Sequence, residues 1–421
     1  MHDDRTPSIN RRSLLKFGLA ATGSAFAARI SLAAPAANSS RFVFIILRGA
    51  LDGLSAVPPY GDPDYARLRG DLAIGAPGGS DSALALDAHF GLNPGLTFLH
   101  ERYAARELLV FPAVATGYRE RSHFDGQDVL ESGVSQPHGT QSGWLNRALT
   151  SLPTSRRETG VALAQNVPLV LRGSAEVASW SPSVLPDLDE DTLHRIGDRY
   201  ASDPLLSRRL AEALATDREA SQASEPTMAM TNPADPAPGG AAAARSTAGR
   251  YTETVRKAAA FLQREDGPAV AVFDTTGWDT HYNEGGGQGQ LRNRLAVLDA
   301  SLRMLKESLG DTWSRTAVLL ATEFGRTAAA NGTHGTDHGT ASAAFLLGGA
   351  VAGGRILGDW PGLSARSLYQ QRDLNPTLDL RSVMKSVLRD HLQVSARSLD
   401  KDVFPDSRSL PYLHDLLRAP G

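Results

Sequence analysis

Four stretches of the chain are almost continuously apolar and rich in β-branched or aromatic residues: RFVFIIL (41–47), ELLVFPAVA (107–115), PAVAVFDTT (268–276) and RTAVLLATEF (315–324). Runs of this kind predict strands buried on both faces, as in a parallel sheet under helices. Between the last two, LRNRLAVLDASLRMLKESLG repeats Leu295, Leu298, Leu302 and Leu305 at helical spacing and is stopped by Gly310. Strand, helix and strand predict a right-handed βαβ unit, and so an α/β fold with a mainly parallel sheet. DLRSVMKSVLRDHLQV reads as one amphipathic helix closing the domain.

The stretch 140–250 lacks the strong strand signature and reads as a cap or insertion. Within it, 215–250 is rich in Ala, Pro, Ser and Gly without an aromatic residue, which predicts a flexible low-complexity loop.

Charge and composition remove several classes of function. A net charge of −3 offers no basic field for nucleic acid. With no cysteine, disulfides, thiolate metal sites and a cysteine nucleophile are excluded, so any metal must be held by carboxylates and imidazoles. RRSLLK, followed by Leu, Ala and Gly and then by small residues near Ala36, resembles a twin-arginine export signal over residues 1–36. Asn10 and Leu14 depart from its commonest pattern. The apolar part is interrupted by Arg29 and too short for a stable membrane span. The expectation is a periplasmic or secreted protein whose partner in export is the twin-arginine translocase, a route that carries folded proteins.

Each predicted strand runs into acids and imidazoles. RGALDGLS carries Arg48 and Asp52, GYRERSHFDGQD carries Ser122, His123 and Asp125, and FDTTGWDTHYNEGGGQG carries Asp274, Asp279 and His281. TEFGRTAAANGTHGTDHGT carries Glu323, Arg326, His334, Asp337 and His338 among residues of little bulk. Open parallel sheets bind ligands at the carboxyl ends of their strands, so the recurrence points to one site there. Glu323, ending an apolar strand, needs a cation, which Arg326 or a metal could supply. Arg326 could also offer paired donors to phosphate or sulfate. Plainer readings stand beside these: Asp52 in a turn, Ser122 or Asp279 capping a helix, His334 as a solvated loop residue.

SHFDGQD, GWDTH, EFGRT with DHGT, and GGAVAGGRILGD (348–359) together resemble the exported bacterial family called domain of unknown function 1501, over about residues 41 to 400. That family is grouped with alkaline phosphatases and sulfatases, and the resemblance implies a three-layer α/β/α sandwich with one or two divalent ions (zinc, manganese or calcium) at the strand ends. By chain order it implies Asp52, Asp279, His281, Glu323 and His338 as metal ligands, with Asp337 as a supplement and Asp274 as the alternative to Asp279. Ser122 falls at the nucleophile, Arg326 beside the anion, and His123, His281 or His334 at the proton donor. Phe324 stands where a histidine ligand is expected. The expected function is an exported metal-dependent hydrolase of small phosphate or sulfate esters. A binding or assembly protein with the same fold and no catalysis is the alternative.

Overall fold

A computed structural model describes residues 40–152, 160–181, 199–200, 203–208, 210–211 and 239–419. The export signal expected at 1–36 lies outside them. The first apolar run forms β1 (Arg41–Arg48), and β2 (Leu108–Ala115), β3 (Gly160–Ala162), β4 (Ala178–Ser179) and β5 (Val270–Thr276) follow. The set ends with β6 (Thr316–Ala321), β7 (Ser342–Leu347), β8 (Arg355–Ile356) and β9 (Leu378–Asp379). All nine belong to one sheet in the order β8-β2-β7-β6-β1-β5-β3-β4, with β9 paired to β2.

β1 lies parallel to β5 on one side and to β6 on the other. β3 is parallel to β5 and to β4. The exception is β7, antiparallel to both β6 and β2. Two reversals restore direction, so β1, β2, β5 and β6 all send their carboxyl ends to the same edge.

The helices include α1 (Gly53–Ala56), α2 (Tyr65–Arg69), α3 (Thr97–Ala104), α4 (His123–Ser132), α5 (Trp144–Leu149), α6 (Gly239–Gln263), α7 (Gln290–Leu309) and α8 (Leu380–Leu392). They cover the sheet on both faces. Val43, Ile45 and Leu47 of β1 share a core with Leu295, Leu298, Leu302 and Leu305 of α7. The alternate residues Phe42, Phe44 and Ile46 share another with Trp144 of α5 and Val383, Met384 and Val387 of α8. This is the mainly parallel sheet that the apolar runs predict, in the three-layer α/β/α sandwich that the family resemblance implies. Each side chain so buried contributes about 1.5–3 kcal/mol, which anchors the strand ends.

In the middle segment the described residues include β3 and β4, which extend the sheet, and Trp144, a core residue. These strands are too short to show an apolar run. Of the expected flexible loop, 239–250 belong to α6 and 215–238 lie outside the described residues. Among the described residues, no helix is long and apolar enough to cross a membrane.

Candidate metal centre

The four strand ends meet around Gly49 and Glu323. Gly49 has φ +119°, and a Cβ there would come within 2.9 Å of the Asp279 backbone nitrogen, so only glycine fits this crossing. Its N–H donates to Glu323 Oε1 at 2.9 Å. The same oxygen accepts from His123 Nδ1 at 2.8 Å and Gln127 Nε2 at 3.2 Å, and Thr322 Oγ1 donates to Oε2 at 3.0 Å. Burial opposes ionisation of Glu323, but these hydrogen bonds, His123's first, hold its pKa below the usual value. Glu323 is therefore a buried anchor for His123 rather than an open ligand.

On the solvent side of that anchor, three imidazoles converge. His338 Nε2 lies 3.0 Å from His123 Nε2, 3.0 Å from His281 Nε2 and 3.1 Å from Asp279 Oδ1. His281 Nε2 is 2.9 Å from Asp279 Oδ1, and His123 Nε2 is 3.5 Å from Oδ2. His123, Asp279 and His338 offer donor atoms that all lie within 4.8 Å of one another. Side chains of His281 and Asp279 are 40% and 41% exposed, so the cluster opens to solvent on their side.

The outer nitrogens decide what the inner ones are. His338 Nδ1 is 2.9 Å from the Arg121 carbonyl oxygen, an acceptor, so Nδ1 carries the hydrogen. His123 Nδ1 likewise donates to Glu323. His281 Nδ1 is 3.6 Å from Asp337. Burial pulls the pKa of His338 down, which favours the neutral ring. Its Nε2 is then a bare lone pair, set 3.1 Å from a carboxylate oxygen that is also an acceptor. In the neutral ring with its hydrogen on Nδ1, no proton bridges that contact. A cation would, and the donor spacings sit at the short end of the about 3.0–3.5 Å that metal–ligand bonds near 2.0–2.2 Å produce.

The loops that carry the cluster are braced in turn. Arg326, 1% exposed, donates from Nη1 to Asp279 Oδ1 at 2.5 Å, from Nε to Thr336 Oγ1 at 3.0 Å and from Nη2 to the Thr336 carbonyl. Burial raises the pKa of Asp279, but the Arg326 hydrogen bond and charge bring it below the ordinary value. Electrostatics from Glu323, its hydrogen bond foremost, raise the pKa of His123.

Several expected residues have other roles. Asp52 does not reach the cluster. It caps α1 through the Leu54 and Ser55 amides and pairs with the buried Arg69. Arg326 does not face an incoming anion, because its guanidinium is committed to Asp279 and Thr336. Asp337 sits behind His281, accepting from Asn331 Nδ2 at 3.1 Å. Asp274 pairs with Arg48 and leaves the ligand position to Asp279. His334 is an exposed loop residue, 3.5 Å from Asp71. Ser122 occupies the N-cap of α4 but its hydroxyl makes no capping bond, and its N–H donates to Tyr118 Oη at 3.2 Å. His123, expected as a proton donor, stands instead among the inward-facing imidazoles.

Four contributors escaped the sequence: Gln127, Arg69, Glu284 and Thr336. Gln127 was within reach, since it lies four residues after His123 on the same helix face. A cavity of about 240 Å³ opens beside Asp337, walled by Leu68, Thr327, Asn331, Leu368 and Arg372.

The profile of a family described as "Protein of unknown function (DUF1501)" matches residues 112–403. No curated protein sequence matches the chain. Among solved structures, the chain is similar to Ps i-CgsB in complex with k-i-k-neocarrahexaose, with 10% identity and a TM-score of 0.38, over 86% of this chain and 74% of that one. It is also similar to BT1596, a 2-O GAG sulfatase, with 12% identity and a TM-score of 0.36, over 89% and 73% of the two chains.

Proposed function

The chain belongs to the DUF1501 family, and from the geometry of its strand-end cluster we propose that it is an exported hydrolase of small phosphate or sulfate esters that works with one divalent metal ion. The observation that carries this reading is the contact between His338 Nε2 and Asp279 Oδ1, 3.1 Å apart, which are both acceptors in the tautomer that the Arg121 carbonyl selects. Export rests on the paired Arg11 and Arg12 and the run after them.

His123, His281, His338 and Asp279 would hold the ion. Three nitrogens and one oxygen suit zinc or manganese, whereas calcium takes oxygen donors. A second ion would need Asp52, Glu323 and position 324, which are respectively paired with Arg69, buried behind His123, and a phenylalanine. A bound ion would supply Lewis acidity towards an anionic ester oxygen.

The protein's own groups supply the rest. Glu323 fixes the ring of His123, and Arg326 fixes an Asp279 oxygen. α4 begins at His123, so its unpaired first-turn amides and positive end lie at the same rim and favour a negatively charged substrate. Ser122, whose hydroxyl is free of capping duty, is the nucleophile this arrangement offers. Its Oγ would bond to phosphorus or sulfur as the bond to the alcohol oxygen breaks, with the serine proton passing to that oxygen. Water would then cleave the serine ester and return a proton to Oγ. Leaving-group protonation by His123 or His281 is not part of this scheme, because their Nε2 atoms face the cluster.

A second reading, a binding protein without catalysis, is favoured by the burial and full engagement of Arg326, which removes the expected anion clamp. Metal analysis and turnover separate the two. The exported, folded protein is expected to hold about one zinc or manganese per chain and to hydrolyse at least one of an aryl phosphate, a phosphodiester and an aryl sulfate. His338→Ala is expected to lose both. Metal-free protein, indifferent to chelator and inert towards all three esters, would overturn the proposal.

A further inference from the structure

The loop from β5 to α7 carries Asp279 and His281, and three residues further on it buries Glu284 completely. Its backbone N–H donates to the His334 carbonyl at 2.8 Å and its carbonyl accepts from Leu291 at 3.0 Å, so its place in the chain is fixed. Its side chain reaches both ligand-bearing segments. Glu284 Oε2 accepts from Thr280 Oγ1 at 2.9 Å, and Thr280 lies between Asp279 and His281. The same oxygen accepts from Thr336 Oγ1 at 2.7 Å. Thr336 Oγ1 in turn accepts from Arg326 Nε at 3.0 Å, and Arg326 holds Asp279. On its far side, Oε1 lies 3.1 Å from Ser55 Oγ and 3.5 Å from Arg69.

A buried carboxyl of this kind is seldom the most stable filling for its space, since apolar replacements of buried charged groups are often as stable. What it adds is a defined geometry. We propose that Glu284 is a positioning residue of the metal centre: by clamping Thr280 and Thr336 with one oxygen, it keeps Asp279, His281 and Arg326 in the mutual arrangement that a metal ion requires. The inference rests on the reading of the cluster as a metal centre.

Burial, and then the neighbouring Asp52, push the pKa of Glu284 up to about 8, so near neutral pH it is an uncharged acid that also hydrogen-bonds to Asp52. Glutamine has the same reach and the same chemistry, with a carbonyl for the two threonines and an N–H for Asp52. Alanine has neither.

The test is zinc affinity of the full-length protein at pH 7, by competition with a chromogenic chelator. Glu284→Ala is expected to weaken zinc binding by about tenfold or more, and Glu284→Gln to restore it to within about threefold of wild type. If Glu284→Ala does not fold, Thr336→Val removes the relay hydroxyl without changing shape and is expected to weaken zinc binding in the same direction. Folded Glu284→Ala or Thr336→Val protein binding zinc as tightly as wild type would overturn the proposal. Should wild type bind no zinc, the metal reading itself fails, and hydrogen exchange over 277–284 decides the clamp. Faster exchange in Thr336→Val than in wild type or Glu284→Gln supports it, and equal exchange refutes it.

Discussion

Phe324 lies stacked against His123, with ring centroids 5.0 Å apart and an interplanar angle of 29°. It also approaches His338, with centroids 5.3 Å apart. At the position where the family resemblance implies an imidazole ligand, this chain has an apolar floor against which two imidazoles lie. We predict that Phe324→Ala, which empties a site only 2% exposed, costs about 3 kcal/mol or more in denaturant melts and weakens zinc binding. Phe324→Leu should retain most of both. Gly126→Ala should act in the same direction as Phe324→Ala, because its new Cβ would sit 2.9 Å from Phe324 Cδ1.

Two buried groups bend the dependence of stability on pH in opposite senses. His391 Nε2 donates to the Arg41 carbonyl at 2.8 Å, and burial lowers its pKa to about 4. The unfolded histidine titrates near 6.5, so as pH falls from about 6.5 to about 4 only the unfolded chain gains the proton, and stability declines by at most about 3 kcal/mol. Glu284, raised to about 8, keeps a proton that the unfolded chain releases near 4.5, so its contribution is lost as pH rises from about 4.5 to 8. We predict that, relative to wild type, unfolding free energy rises less or falls more from pH 5 to 7 in His391→Gln and falls less from pH 5 to 9 in Glu284→Gln. Parallel curves for wild type and both variants would contradict this.

Much of the fold was legible because buried parallel strands need unbroken apolar runs, and β1, β2, β5 and β6 have them. The interior strand β7, SAAFLL, was missed because it opens on a serine and two alanines that the tight packing of the central sheet accepts. The site was legible as a set of residue types, since imidazoles and acids gathered after four strands have few other reasons to be there. Their directions were not. Asp52 reads as a ligand until Arg69 is seen beside it, and a separation of 17 positions along the chain conceals that pairing. Glu323 and Asp337, expected as ligands, lie one beneath the histidines and the other behind His281.

The Asp52–Arg69 pair separates a structural acid from a metal ligand. Both side chains are at most 1% exposed, and breaking a buried pair strands the remaining charge. We predict that Asp52→Asn destabilises the protein by about 3 kcal/mol while the folded variant still takes up one zinc at saturating concentration. Loss of zinc stoichiometry in folded Asp52→Asn would return Asp52 to the ligand set.

Metal removal tests the centre most directly. In the absence of a cation, His338 Nε2 and Asp279 Oδ1 oppose each other as acceptors, and relief of that contact on binding appears as stability of the folded state. Only the folded chain assembles the four donors, so zinc at a hundred times its dissociation constant should add about 2.7 kcal/mol, and excess chelator should remove it. We predict that His338→Ala abolishes this chelator-sensitive difference in melting, since it deletes the nitrogen that faces the other three ligands. His334→Ala, in the same loop but exposed beside Asp71, should leave the difference intact and shift stability by less than about 0.5 kcal/mol. Equal responses of the two variants to chelator would mean that the cluster holds no ion.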